Sequence, residues 1–214
     1  MFPHRDANIA LHEPEFNNQA ESLVLDCLRS TYVSSVGEYV QGFETELAAA
    51  CGVKHAIAMV NGTAALEVAL RVVGVEPGSE VLLPSLTFVA TANAVSHLNA
   101  VPHFVDVEDR SLGIDSHALE RHLKKIGRQT SGGFFNKETG RRISAIVPVH
   151  VFGHPAAMDE LNAVASTFDL PVIEDAAEAL GSHYKQKHCG SLGHAAAFSF
   201  NGNKILTTGG GGAV

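Results

Sequence analysis

The stretch HAIAMVNGTAALEVALRVV, His55 to Val73, changes its apolar period halfway along. His55 to Val60 is a short apolar run of strand length and reads as a buried strand. From Thr63 onward, Leu66, Ala69, Leu70 and Val73 recur at the spacing of one helix face. Asn61-Gly62 separates the two patterns. A strand that feeds straight into a helix is the first half of a βαβ unit. The same alternation repeats downstream. Pro77-Gly78 marks a turn, Glu80 to Pro84 a strand, Thr87 to Ser96 a helix and Val101 to Val107 a strand. Asp115 caps a helix that runs to about Lys125. Gly127 to Arg142 is polar and reads as a surface loop. Ser144 to Val151, Pro171 to Asp175 and Ala195 to Phe200 read as strands, with a helix from Ala156 to Phe168. This order predicts an α/β fold with a mostly parallel sheet covered on both faces.

The first fifty residues carry helix patterns only (Gln19 to Arg29, Tyr39 to Cys51), so the chain divides into a helical and loop segment, 1–50, and an α/β domain, 51–214. The sequence stops at Ala213-Val214, where a further strand is about to begin. Domains seldom end inside an element, and a truncated chain is expected.

Composition narrows the function classes. Of 214 residues 45% are hydrophobic and 18% charged, which fits a folded domain rather than a disordered one. A net charge of −8 argues against nucleic-acid binding. The densest basic stretch, Lys137 to Arg142, is short, contains Glu138, and reads as a solvated loop. Cys27, Cys51 and Cys189 are odd in number and widely spaced, which suits a reducing cytoplasm and no disulfide framework. The opening MFPHRDANIALHEPEF has neither a leader's apolar run nor a membrane span, so no membrane association is expected.

Four turns each place polar groups just after a strand, at the edge where open α/β sheets bind ligands. In Asn61-Gly62-Thr63-Ala64, the glycine and first-turn N–H groups suit a phosphate, and helix capping by Asn61 or Thr63 is the plainer use. In Ser85-Leu86-Thr87-Phe88, Phe88 could lie on a planar ring or simply fill a core. In Glu174-Asp175-Ala176-Ala177-Glu178, Asp175 could pair with a protonated ring nitrogen or cap a helix. In Ser199-Phe200-Asn201-Gly202-Asn203-Lys204, Ser199 could donate to phosphate, and Lys204 sits between an apolar strand and a glycine-rich turn, where a solvated lysine would be unusual. The glycine run lacks the GxGxxG spacing of nicotinamide-binding domains. His150 and His154 are four apart, but the run between them reads as strand and glycine turn rather than helix, which disfavours a metal pair.

In order, NGTAAL, LPSLTFVATANAV, PHFVDVE, PVHVFGHPAAMDEL, PVIEDAAEALGS and AFSFNGNKILTTGGGG resemble the DegT/DnrJ/EryC1/StrS family of sugar aminotransferases, from about Tyr32 to the last residue. SSVGEYVQGFE and VDVEDRSLGID look most like its branch acting on UDP-linked N-acetylated 4-keto-6-deoxyhexoses in legionaminic-acid-type pathways. The resemblance implies a fold-type-I large domain with a seven-stranded, mostly parallel sheet, its small C-terminal domain absent here. It implies pyridoxal 5'-phosphate (PLP) as cofactor and Lys204 as the lysine that carries it as a Schiff base. Asp175 would pair with the ring nitrogen, Phe88 stack on the ring, and Gly62, Thr63 and Ser199 hold the phosphate. Glu178 would lie near the ring hydroxyl. Relatives that dehydrate the sugar carry His in place of this lysine, so Lys204 favours amination. A nucleotide-sugar acceptor, an amino-acid donor (glutamate) and a homodimer are implied too. The competing expectation is a catalytically inactive fragment or binding module that keeps the fold.

Overall fold

The structure, a computed structural model, describes residues 12–214. Residues 1–11 of the opening MFPHRDANIALHEPEF lie outside that range. The first helix, α1 (Asn18–Arg29), is capped by Asn17, whose Oδ1 accepts from the Ala20 N–H at 2.9 Å, and it buries none of its residues. Helix α2 (Glu38–Cys51) ends on Gly52, whose φ of 67° is the left-handed stop that glycine takes without strain. Its inner residues Leu47, Ala48 and Cys51 are buried, so the division at residue 51 falls in the last turn of a helix built into the core.

The alternation then runs as anticipated. The elements are β1 (Ala58–Met59), α3 (Gly62–Val72), β2 (Glu80–Pro84), α4 (Val89–His97), β3 (Val101–Val105) and α5 (Ser116–Ile126). There follow β4 (Gly127–Thr130), β5 (Gly133–Asn136), β6 (Ile143–Ile146), a 3-10 turn (Val151–Gly153) and α6 (Met158–Thr167). The last are β7 (Ile173–Asp175), β8 (His183–Tyr184), β9 (Lys187–His188), β10 (Ala195–Ser199) and β11 (Gly212–Ala213).

Three strands pair in the order β3-β2-β6 and four in the order β1-β11-β10-β7. Single parallel bridges join the halves, Ile146 to Val172 and Val149 to Asp175. The Ile146 N–H donates to the Pro171 carbonyl and the Asp175 N–H to the Pro148 carbonyl, each at 2.9 Å. The result is one seven-stranded sheet, β3-β2-β6-β7-β10-β11-β1, in which only β11 runs antiparallel. Side chains of a strand alternate between faces. Leu82 of β2 therefore packs with α5 and α6 (Leu119, Leu123, Met158, Leu161). Val81 and Leu83 pack with α3 and α4 (Leu66, Leu70, Val95).

Three expectations change. The run His55 to Val60 is not a buried strand. Ala58 and Met59 form the ladder, Ile57 adds a backbone pair with Val214, and Ile57 and Val60 are exposed, because β1 lies at the sheet edge and pairs only with β11. Gly127 to Arg142 is not a loop but the hairpin β4–β5, turned at Gly133 with φ of 118°. Its polar sequence hides one buried ring, Phe134, and two groups, Asn136 and Thr139, that donate to the buried Glu80. The ladder of β6 stops at Ile146, and Pro148 has no N–H to extend it.

Candidate active site

The carboxyl ends of β7 and β10 meet the amino end of α3 and the start of α4. Asn61 is the cap of α3, its Oδ1 accepting the Ala64 N–H at 2.8 Å, which leaves the Thr63 hydroxyl without a hydrogen bond among the described residues. A Cβ on Gly62 would lie 2.8 Å from the Ser199 Cβ and 3.3 Å from the Phe198 carbonyl oxygen. Only glycine lets the first turn of α3 rest on β10 this closely. The Ser199 hydroxyl, which accepts the Asn201 N–H at 3.4 Å, thus sits beside the N–H groups of a helix start. That is anion-binding chemistry.

Asp175 ends β7 beside Ala197 of β10. With strands rising about 3.3 Å per residue, Ser199 lies roughly 7 Å further along. Asp175 is 5% exposed and, among the described residues, has no cation within bonding distance. Its Oδ2 accepts the Thr91 hydroxyl at 2.7 Å and its Oδ1 the Ala177 N–H at 3.2 Å. Burial pushes its carboxyl above the usual range, against these bonds and the nearby charge of Lys204. Phe88 precedes α4 and is 73% exposed at the site's mouth, so the core use of this ring does not apply.

Lys204 completes the group. Its Nζ donates to the Glu178 Oε1 at 3.0 Å and lies 5.8 Å from the centre of the Phe88 ring. The other Glu178 oxygen accepts the Phe152 N–H at 3.1 Å, where Phe152 takes a φ of 51°. Glu178 therefore ties the lysine to the turn after β6. The structure brings Lys204, Glu178, Phe88 and Asp175 to one end of the site, and Gly62, Thr63 and Ser199 to the other.

Sequence reading missed the support beneath. Thr91 lies one turn into α4, and nothing local connects it to Asp175, 84 positions away. His150 is fully buried and faces Glu174, Nε2 to Oε2 at 2.9 Å, while its Nδ1 accepts the Ala156 N–H. Glu174 also accepts the N–H groups of Gly190, Leu192 and Gly193. The alternation of a strand, which sends Glu174 and Asp175 to opposite faces, was the available signal.

A sequence profile described as the DegT/DnrJ/EryC1/StrS aminotransferase family matches residues 14–214. GDP-perosamine synthase of Caulobacter vibrioides is 43% identical over 206 residues, covering 96% of this chain and 51% of that protein. The solved aminotransferase of Psychrobacter cryohalolentis superposes with a TM-score of 0.81 at 36% identity, over 94% of this chain and 47% of that one. The PLP form of Spr1654 from Streptococcus pneumoniae gives 0.83 at 27% identity, over 97% and 52%. The chain thus spans about half the length of the relatives it matches. Their architecture, fold type I, is the one described above. From profile, identity and superposition together, the chain belongs to the DegT/DnrJ/EryC1/StrS aminotransferase family.

Proposed function

We propose that this chain is the PLP-holding half of an enzyme that moves an amino group from an amino acid, glutamate, to the keto carbon of a nucleotide-linked 4-keto-6-deoxy sugar in the cytoplasm. The observation that carries the reading is the meeting of Lys204, Glu178, Phe88 and the cation-free, buried Asp175 at one sheet edge. A buried carboxylate without a cation is costly unless a positive group arrives, and a protonated pyridine nitrogen is such a group. The cradle of Gly62 against Ser199 suits the phosphate. The residues present therefore fit PLP.

Gly62, Thr63 and Ser199 would hold the phosphate, Phe88 would cover the ring face and Asp175 would face the ring nitrogen. Lys204 would attach the cofactor through its amine. When bound, PLP supplies a charged ring that takes up the electron pair released at the donor's α-carbon. The Lys204 Nζ would move the proton at the donor's α-carbon, removing it and later returning one. Glu178 accepts a hydrogen bond from that amine and holds it at the site until substrate enters. The half-buried position of Lys204 keeps bulk water from competing for the proton.

Lys204→Ala is expected to lower amination by about a thousandfold or more, the upper range for a positioned acid–base group. Borohydride reduction of the PLP-loaded protein, followed by peptide mapping, is expected to place the label on Lys204. Label spread over exposed lysines would sink the reading and favour an inactive relative that keeps the fold. The partner proposed is a second copy of the chain, since α1 buries nothing and Val24, Leu28, Tyr32, Val33 and Val36 are exposed beside one another in sequence. Sedimentation of a Val24→Glu, Leu28→Glu variant should give the monomer; an unchanged dimer mass would exclude this face.

A further inference from the structure

Among the described residues, two other helical threonines spend their hydroxyl locally. Thr45 donates to the Gln41 carbonyl and Thr167 to the Ala163 carbonyl, each one turn back. Thr91 does not. It is 1% exposed, and its hydroxyl crosses to the Asp175 Oδ2 at 2.7 Å. A second hydroxyl, Thr87 Oγ1, lies 2.7 Å from Thr91 Oγ1.

The direction of these bonds follows from proton counting. An ionised carboxylate only accepts, so Thr91 gives its single proton to Asp175. Thr91 then has none left for Thr87, and Thr87, whose hydroxyl also lies 3.3 Å from the Phe88 carbonyl oxygen, gives its proton to the nearer Thr91 oxygen. Two hydroxyl dipoles therefore point in line at the carboxylate, an arrangement in which each bond strengthens the other. The remaining oxygen of Asp175 has one longer bond, from the Ala177 N–H at 3.2 Å. Lys204, whose charge acts on Asp175, donates from its amine to Glu178 instead. Neutral donors thus orient Asp175 without neutralising it.

We propose that Thr91, aligned by Thr87, is a positioning residue that decides where the proton lies between Asp175 and the ring nitrogen of PLP. The inference rests on the role given to Asp175 above. Burial drives the proton toward Asp175, and the threonine hydroxyl drives it toward the ring. The ring can hold the donor's electrons only while its nitrogen keeps the proton. Thr87, Phe88 and Thr91 fall within one turn, so the element that covers the ring also sets its charge.

The test uses PLP labelled with ¹⁵N at the ring nitrogen, bound to the intact protein, whose nitrogen resonance separates the protonated from the neutral ring. Thr91→Val keeps the shape and removes the hydroxyl. It is expected to shift the resonance toward the neutral ring and to weaken PLP binding about tenfold to a hundredfold, the loss typical of a bond to a charged group. Thr91→Ser should retain the wild-type resonance. Thr87→Val, at a partly exposed position, should shift it in the same direction by less, and decides the matter if Thr91→Val does not fold. A purely structural threonine would lower the unfolding temperature and leave the resonance in place, and that result overturns the proposal. If Asp175→Asn also leaves the resonance unmoved, or the wild-type protein takes up no PLP, the reading of the site fails and takes this inference with it.

Discussion

Asp175 is a residue whose environment opposes its charge. Burial raises its carboxyl's pKa in the folded protein, so the native state holds this proton more tightly than the unfolded chain does. For an acid shifted upward, the cost of folding is absent below the unfolded value near 3.8 and grows as pH rises through the folded one. Asp175→Asn removes that cost. Without cofactor, the variant is expected to be more stable at neutral pH by roughly 1 kcal/mol, about 2–4 °C in Tm for a chain of this size. With cofactor, amination should fall about a hundredfold, the usual loss when a stabilising charge is removed. Calorimetry of both cofactor-free proteins checks the first half; an unchanged or lower Tm would count against it. The residue's identity was visible at the end of the run PVIED, whereas its donors were not. Ala177 is a neighbour in sequence, but Thr91 reaches it only because α4 packs back over the sheet.

At the scale of elements, the long βα alternation was legible because each strand and helix carries its own period. The hairpin β4–β5 was not. β4 exposes Arg128, Gln129 and Thr130 in succession, with no strand alternation to read, and the hairpin's anchors are contacts with distant residues. Glu80, at the amino end of β2, accepts from Thr139 at 2.5 Å, Asn136 at 3.0 Å and His103 at 2.8 Å, and His103 meets His122 of α5 at 2.9 Å. Burial alone would raise the Glu80 carboxyl, but these donors bring it below 4.5. Burial and the adjacent His103 lower His122 below 6.5. Both shifts mean that the unfolded chain takes up protons first. The stability tied to His122 should decline as pH falls below about 6.5, and that of Glu80 only in a lower window, below about 4.5. Amide exchange at Asn136 and Lys137, corrected for the intrinsic pH effect, should quicken in two steps, and Glu80→Gln should remove the lower one. Flat protection from pH 7 down to about pH 3 would show that the cluster does not hold the hairpin.

Across the whole molecule, the two half-sheets meet between β6 and β7 through single bridges rather than a full ladder. Beside this seam stands the fully buried pair of His150 and Glu174, with three backbone N–H groups also given to Glu174. Glu174→Ala would leave an imidazole and those N–H groups without a partner. The expected loss is about 3–5 kcal/mol, as for other broken buried pairs, measured by urea unfolding. A loss under about 1 kcal/mol would mean that the seam is held by packing alone.

The strand β11 lies between β10 and β1, and Ala58 and Met59 of β1 find their ladder partners only at Ala213 and Gly212, some 150 positions later. A Cβ on Gly212 would strike the backbone of Asn61 and Gly62, so this late segment also presses on the turn that opens α3. During synthesis, therefore, the emerging chain can assemble the β3-β2-β6 layer early, but the turn of Asn61 and Gly62, proposed above to hold the phosphate, waits until residue 212 has left the ribosome. Contacts of such long sequence separation form slowly. Within the described sheet, the corner proposed for the phosphate is therefore among the last parts to take shape.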